Sequence, residues 1–290
     1  MEALKYKKPK LKKRERAEVW VYRLILWIAL AVTLYPILYV VSNSLADGNS
    51  FSASSIIPKT INFKNYKSLF DGSLNDNMNF LVAIKNSIIL CSLVSALQLI
   101  ATGTSAYAFS RMRFRGRKYG LMTILVVQRF PMIMAASAIL TIAYKYNLTD
   151  SIVFLALLLA GTSSFNIWLL KGFMDTIPRE LDEAAKVDGA SHWQIFTKII
   201  IPLAKPMFAV ILLFTFFGTY SEFVYTKSLL FNPRNWTVSV ALQSFITDEF
   251  AQHWSQFSAA AVIASIPQVI LFLLLQKHLQ KGLTAGSVKG

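Results

Sequence analysis

Few side chains in this sequence have the types and spacing that catalysis or metal binding requires. The three histidines, His192, His253 and His278, form no HExxH pattern and have no cysteine partners, so they predict no metal site. The single cysteine, Cys91, lies in an apolar stretch and is expected to be a packing residue. Because the sequence also lacks a GxxxxGKS or GxxxxGKT phosphate loop, we expect neither ATP hydrolysis nor a cofactor bound by this chain.

The clearest helix signals lie in a charged segment, residues 175–206, between two strongly apolar runs. Thr176 and Pro178 predict a helix start, because proline is tolerated in a first turn. Gly189 predicts the end of that helix, since glycine adopts a left-handed conformation without steric cost. Three acidic residues suit the positive end of the helix dipole: Glu180, Asp182 and Glu183.

A second short helix is predicted directly after the first. Ser191 and Gln194 have the spacing of a capping box, which marks a helix N-terminus. On the first helix, Leu181, Ala184 and Ala185 share one face, and the two alanines would let another surface approach closely. The pair of helices is therefore either a solvated connection between two membrane spans or a docking element for a soluble partner.

The segment Glu183-Ala184-Ala185, followed by Gly189 and then by Ile199-x-Ile201-Pro202, resembles the EAA signature of permease subunits of ATP-binding-cassette (ABC) importers. The family pattern has leucine before the final proline, where this chain has isoleucine. In that family this loop is the coupling helix, which sits in a cleft of the ATPase subunit. The resemblance implies that six residues couple this chain to a separate ATPase that binds ATP and magnesium: Glu183, Ala184, Ala185, Gly189, Ile199 and Pro202.

The composition indicates a membrane protein. The 290 residues are 54% hydrophobic and only 16% charged, with a mean hydropathy of +0.47, which is too apolar for an ordinary soluble domain. Crossing a bilayer core takes about 20 apolar residues in a helix. Six runs meet that length, namely residues 19–41, 84–109, 119–143, 152–170, 203–225 and 257–279. We therefore predict an all-α, polytopic membrane protein with six transmembrane helices, and the resemblance implies the MetI-like fold of type I importers.

The distribution of basic residues predicts the orientation in the membrane. Lysine and arginine are concentrated in residues 1–18, in the loops before the third and fifth runs and after the sixth run. Lysine and arginine accumulate on the cytoplasmic side, so both termini and the EAA loop are expected there. A basic tail beside an apolar run suits anionic lipid headgroups, and no nucleic-acid surface is predicted. The resemblance implies the inner membrane of a bacterium.

Polar side chains within the apolar runs are candidates for a solute path. A charged group at membrane depth must face protein or a water-filled cavity, which applies to Arg129. Pro131 follows it and is expected to bend the third span. Gln128, Arg129 and Pro131 are thus predicted to line the path, unless Arg129 is a structural charge paired within the bundle or extended to the interface. The full set of such polar residues is Asn86, Gln98, Gln128, Arg129, Asn166 and Gln268.

The C-terminal residues resemble the ending of carbohydrate-importer permeases. Together with residues 257–262 and Pro267, they are most similar to the smaller permease subunit of bacterial maltose/maltodextrin importers. In those importers the tail reaches between the two ATPase subunits. The resemblance gives that role to Gly282, Leu283, Thr284, Ala285 and Gly286.

The resemblance implies a permease subunit of an ATP-driven sugar importer. Its partners would be a second, different permease subunit, a dimeric ATPase and an extracytoplasmic sugar-binding protein. A permease for another polar solute, such as glycerol phosphate, is the alternative. A self-sufficient secondary transporter fits less well, since acidic residues are scarce in the spans. The expected organisation begins with a cytoplasmic tail (1–18) and a first span with its outer loop (19–81). A permease core of five spans follows (82–279), in which the coupling helix occupies about residues 176–198, and a second cytoplasmic tail (280–290) ends the sequence.

Overall fold

The computed structural model describes residues 13–46, 61–71, 79–128, 132–247 and 253–285. Every regular element in these ranges is helical, which confirms the all-α class. The α-helices are α1 (Lys13–Ser44), α2 (Lys64–Phe70), α3 (Phe80–Arg111), α4 (Arg117–Val127), α5 (Met132–Lys145), α6 (Ile152–Ala160), α7 (Ser164–Asp175), α8 (Glu180–Val187), α9 (His192–Ile195), α10 (Ile201–Tyr220), α11 (Val224–Leu229), α12 (Val238–Ser244) and α13 (Trp254–Ala285). A π-turn, Phe196–Ile200, joins α9 to α10, and a 3₁₀ turn, Pro233–Asn235, precedes α12.

The six apolar runs correspond to three kinds of helical unit. Four continuous helices are long and apolar enough to cross a membrane: Ala17–Ser44, Phe80–Arg111, His192–Tyr220 and Trp254–Leu279. The run at 152–170 is a pair, α6 and α7, bent by 49° where they meet. The run at 119–143 contains α4 and α5, with residues 128–131 between them. This arrangement is compatible with six spans.

Helix α3 is the central element of the described structure. Its buried residues belong to three apolar clusters: Phe80 and Cys91 to one, Leu90 and Val94 to a second, and Tyr107 to a third. It packs against α6, α7 and α10. By contrast, α1 buries none of its most apolar stretch within the chain and packs beside α13. Its apolar surface therefore suits contact with lipid.

The first connecting helix starts later than its sequence signals predict. Thr176 does not open it but ends α7, and the Thr176 hydroxyl donates back to the Phe173 carbonyl at 2.7 Å. Helix α8 begins only at Glu180, and the residue before it, Arg179, makes no side-chain capping bond. The start predicted at Thr176 and Pro178 was therefore wrong, because the hydroxyl that could cap α8 is already bound to α7.

The other capping signals of this segment are confirmed. Gly189 has a φ of +81°, and its N–H donates to the Lys186 carbonyl at 3.0 Å. The next N–H, of Ala190, donates to the Ala185 carbonyl at 2.9 Å, which completes a Schellman motif. At the start of α9, Ser191 and Gln194 form the predicted capping box, with both bonds present. The turn between α8 and α9 is thus fixed by local backbone bonds.

Two glycines test whether this turn depends on the left-handed conformation. A Cβ at Gly189 would meet no atom within 4 Å, so Gly189→Ala should cost only the conformational strain, about 1–2 kcal/mol. Gly172 on α7 is equally open but helical, so Gly172→Ala should be neutral or stabilising by up to about 1 kcal/mol. Thermal unfolding of the purified protein in detergent measures both. Equal Tm values for the two variants would contradict the claim that the turn depends on the left-handed conformation of Gly189.

Candidate functional site

A buried ion pair holds α8 against the end of α3. Nε of Arg111 lies 2.7 Å from Oδ2 of Asp182, and the two side chains are only 3% and 8% exposed. A second nitrogen of the same guanidinium, Nη2, donates to the Ile177 carbonyl at 2.8 Å. The last residue of α3 therefore binds both α8 and the turn that leads into it.

Further polar contacts join α3 to the same region. The Ser110 hydroxyl donates to Oδ1 of Asp175 at 2.7 Å, and Lys171 pairs with the other carboxylate oxygen at 2.6 Å. The Tyr107 hydroxyl lies 3.1 Å from Nδ1 of His192, at the start of α9. Both ends of the segment between α7 and α10 are thus attached to the last two turns of α3.

The residues predicted to couple to an ATPase divide into exposed and packed groups. Glu183, Ala184, Gly189 and Pro202 are exposed. Ala185 and Ile199 are half-buried and pack against the apolar cluster formed by α3, α7 and α10. Their side chains therefore attach the segment to the apolar cluster and do not face solvent fully.

The outward face of α8 differs from the predicted one. The apolar residues on it are Leu181, Ala184 and Val187, and Val187 is 87% exposed. Ala185, which the sequence placed on this face, turns towards the apolar cluster instead. Beside α8 opens a charged cleft of about 520 Å³, whose lining includes Arg113, Arg179, Glu183 and Lys186.

A second cavity, of about 420 Å³, lies between α3, α7 and α10. We call it the polar cavity. Its walls combine neutral amides and hydroxyls with one carboxylate and two aromatic rings. The polar and aromatic residues of its lining are Gln98, Thr162, Asn166, Thr215, Thr219, Glu222, Phe214 and Tyr225, and Leu159, Gly218 and Val224 complete it. Sequence reasoning noted Gln98 and Asn166 as polar groups in spans but did not bring them together.

A chain of hydrogen bonds fixes the orientation of both amides in this cavity. The Leu159 carbonyl can only accept, so the group of Gln98 that lies 3.1 Å from it must be the donor Nε2. The Gln98 oxygen then accepts from Nδ2 of Asn166 at 3.1 Å and from the Thr215 hydroxyl at 2.9 Å. Nδ2 of Asn166 also donates to that hydroxyl at 3.3 Å, so both its hydrogens are used.

Glu222 forms the acidic part of the wall. One of its oxygens accepts from the Tyr225 N–H at 2.7 Å. The other accepts from the N–H and the hydroxyl of Thr226, at 2.9 and 2.5 Å. A carboxylate that receives three such donors is held in a fixed orientation. Glu222 thereby caps α11 from the end of α10.

Of the three residues predicted to line the path, only Gln128 is described, and Arg129 and Pro131 lie outside the described residues. Its Nε2 donates to the Gly161 carbonyl at 3.2 Å. Its oxygen accepts from the N–H of Ser164 at 3.3 Å and also from the hydroxyl of that residue. Gln128 thus ties α4 to the bend between α6 and α7, and its predicted path role stays a prediction.

The C-terminal residues predicted to contact an ATPase continue α13. The helix extends through Ala285, so the backbone of residues 282–285 is helical. Gly286 lies outside the described residues. The predicted contact of this tail with an ATPase stays a prediction.

Comparison with known proteins places this architecture in a family. The family model for the binding-protein-dependent transport system inner membrane component matches residues 99–285. The galactooligosaccharides transport system permease protein GanQ of Bacillus subtilis is 38% identical, over 93% of this chain and 94% of its own. The maltodextrin permease MdxG of the same organism is 37% identical, over 92% and 95%. MalG of Escherichia coli, a maltose/maltodextrin permease, is 33% identical, over 96% and 98%.

A solved structure has the same fold. A chain of a bacterial ABC transporter involved in the import of the acidic polysaccharide alginate superposes with a TM-score of 0.75 at 25% identity. The match covers 93% of this chain and 99% of that one. These findings confirm the resemblance on which the EAA segment was interpreted. The chain belongs to the family of inner membrane components of binding-protein-dependent transport systems, the non-enzymatic permease subunits of ABC importers.

Proposed function

We propose that this chain is a permease subunit of an ATP-driven importer of oligosaccharides and forms half of the translocation path beside a second, different permease subunit. The observation that carries the substrate class is the polar cavity, whose walls offer neutral amides, hydroxyls and aromatic rings. Ligand sites commonly have this mixture of apolar surface and few oriented polar groups. The names of the relatives, which transport galactooligosaccharides and maltodextrins, support the same class. Glycerol phosphate fits less well, because the described lining contains a carboxylate and no lysine or arginine.

The second part of the proposal is that α8 docks on a separate ATPase in the cytoplasm. Its outward face presents Leu181, Ala184 and Val187 to solvent, and an exposed apolar strip on a charged loop suits a protein partner. The EAA residues Glu183 and Gly189 lie on the same exposed segment. Binding and hydrolysis of ATP with magnesium would take place in that partner.

The third part concerns how a movement of α8 reaches the solute. Helix α3 binds α8 through the Arg111–Asp182 pair and lines the polar cavity with Gln98, about 20 Å away along its axis. Closure of the ATPase would displace α8 and tilt α3 with it, switching the path between inward-open and outward-open forms. An extracytoplasmic sugar-binding protein would deliver the sugar on the other side, and the tail at residues 282–286 would add a second contact with the ATPase.

The ion pair gives the sharpest test of this coupling. Asp182→Asn leaves the Arg111 charge buried without its partner, a change that typically costs about 3–5 kcal/mol. Asp188→Asn removes an exposed acid from the same segment and is the matched control. We expect Asp182→Asn to lower ATP-driven oligosaccharide uptake in proteoliposomes at least about tenfold, because a loss of about 1.4 kcal/mol already shifts the equilibrium between attached and detached α8 tenfold. Asp188→Asn should leave uptake near wild type.

Replacing both partners by apolar residues separates charge from packing. Arg111→Met with Asp182→Leu removes the uncompensated charge, so the double variant should regain much of the thermal stability that Asp182→Asn loses. Wild-type uptake and wild-type Tm in Asp182→Asn would rule out the pair as the attachment of α8.

Crosslinking tests the docking face and the orientation together. Val187→Cys, labelled with a photoactivatable maleimide in the assembled importer, should crosslink to the ATPase, because this position is almost fully exposed on α8. The native Cys91 is buried and should stay unlabelled. Phe231→Cys, an exposed position beyond α11, is the control and should give no ATPase product. The reverse result, a product from position 231 and none from 187, would refute a cytoplasmic α8.

A further inference from the structure

We propose that the polar cavity of this subunit contacts the transported sugar directly, and that Glu222 makes the contact selective for neutral over acidic oligosaccharides. The inference rests on the proposed transport function and adds a substrate-binding surface and a specificity determinant to it. It is carried by the hydrogen-bonding state of three side chains in the wall of the cavity: Asn166, Thr219 and Glu222.

The side-chain oxygen of Asn166 is an acceptor whose orientation is fixed by hydrogen bonds before any ligand binds. The Leu159 carbonyl fixes the Gln98 amide, and the Gln98 oxygen in turn fixes which end of the Asn166 amide faces it. Both hydrogens of Asn166 Nδ2 are used, on Gln98 and Thr215. Within the described residues its Oδ1 accepts nothing, so a sugar hydroxyl would find an acceptor that needs no rearrangement.

Thr219 adds a group that can donate or accept. It lies one helical turn after Thr215 on α10 and lines the same cavity. Its hydroxyl has no hydrogen-bond partner among the described residues, whereas the Thr215 hydroxyl is bound to Gln98. Phe214, half exposed at the cavity wall, offers an aromatic face to the C–H surface of a sugar ring.

Glu222 supplies the selectivity. Its carboxylate is held by two backbone N–H groups and one hydroxyl, which leaves lone pairs for a further donor such as a sugar hydroxyl. A uronic acid brings a second negative charge to the same wall. Because the described lining contains no lysine or arginine to offset it, the two carboxylates repel each other. A neutral sugar gains a hydrogen bond where an acidic sugar meets like charge.

Cysteine protection tests the contact without changing the proposed binding groups. Gly218 lines the cavity, and a Cβ there meets nothing within 4 Å, so Gly218→Cys introduces a reactive thiol. Gly172→Cys, at an equally open helical glycine outside the cavity, is the matched control. Labelling by a small methanethiosulfonate is followed in the purified permease–ATPase complex without its binding protein, so that the selectivity of that receptor does not enter.

The probes are maltotriose, a β-galactotriose and an alginate trisaccharide at millimolar concentration. We expect the neutral sugar that the complete importer takes up to slow labelling at position 218 at least about fivefold, a modest figure for occupancy of one site, and to leave position 172 unchanged. The alginate trisaccharide should slow neither. Equal slowing at both positions, or none at 218 in an importer that transports the sugar, would overturn the contact.

A substitution of Glu222 tests whether its charge causes the selectivity. Glu222→Gln keeps an acceptor for the Tyr225 N–H but removes the charge. In the Gly218→Cys background it should let the alginate trisaccharide slow labelling about as well as the neutral sugar does. Asp188→Asn, which removes an exposed charge outside the cavity, should not.

A purely structural role for Glu222 would leave the ratio of acidic to neutral protection unchanged and would overturn the selectivity. Complete absence of oligosaccharide uptake by the wild-type importer would instead overturn the proposed function, together with the inference that rests on it. The two failures are therefore distinguishable.

Discussion

The position of α8 depends on the buried ion pair between Arg111 and Asp182. A helix of eight residues is too short to be stable by itself, so tertiary contacts must hold it. The Schellman turn at Gly189 fixes its end and the apolar cluster supports Ala185, but neither fixes its start, where no side chain caps it. The ion pair supplies that missing restraint. Because the pair is almost fully buried, salt screens it little. It turns Asp182 towards α3 and leaves Val187 exposed.

The helices that hold α8 are also the helices that enclose the polar cavity. Helix α3 ends in Arg111 and contributes Gln98, and α7 contributes Asn166 and ends just before α8. Helix α10 follows the π-turn after α9 and contributes Thr215. Packed helices behave as stiff bodies because their interior is close-packed. Under the proposed coupling, a displacement of α8 would therefore reach the cavity through packed helices, with no flexible connection between them.

The sequence predicted what depends on local spacing. The helix end at Gly189 and the box at Ser191 involve residues within one or two turns, so short patterns determine them. The start at Thr176 failed because its hydroxyl was already bound within α7. Gln98, Asn166 and Asp182 were visible as polar or charged residues, but their partners lie on other helices. Periodicity does not say which helices are neighbours, so neither the ion pair nor the cavity could be predicted.

The hydrogen bonds of the polar cavity divide its atoms between structure and recognition. A buried amide must satisfy its donors, and here the nitrogens of Gln98 and Asn166 do so by joining α3 to α6, α7 and α10. That leaves the acceptor oxygens of Asn166 and Glu222, together with the Thr219 hydroxyl, as the described groups with hydrogen-bonding capacity towards the cavity. A wall rich in acceptors suits a ligand rich in hydroxyl donors. The same network that holds the helices together therefore determines which atoms the wall of the cavity presents.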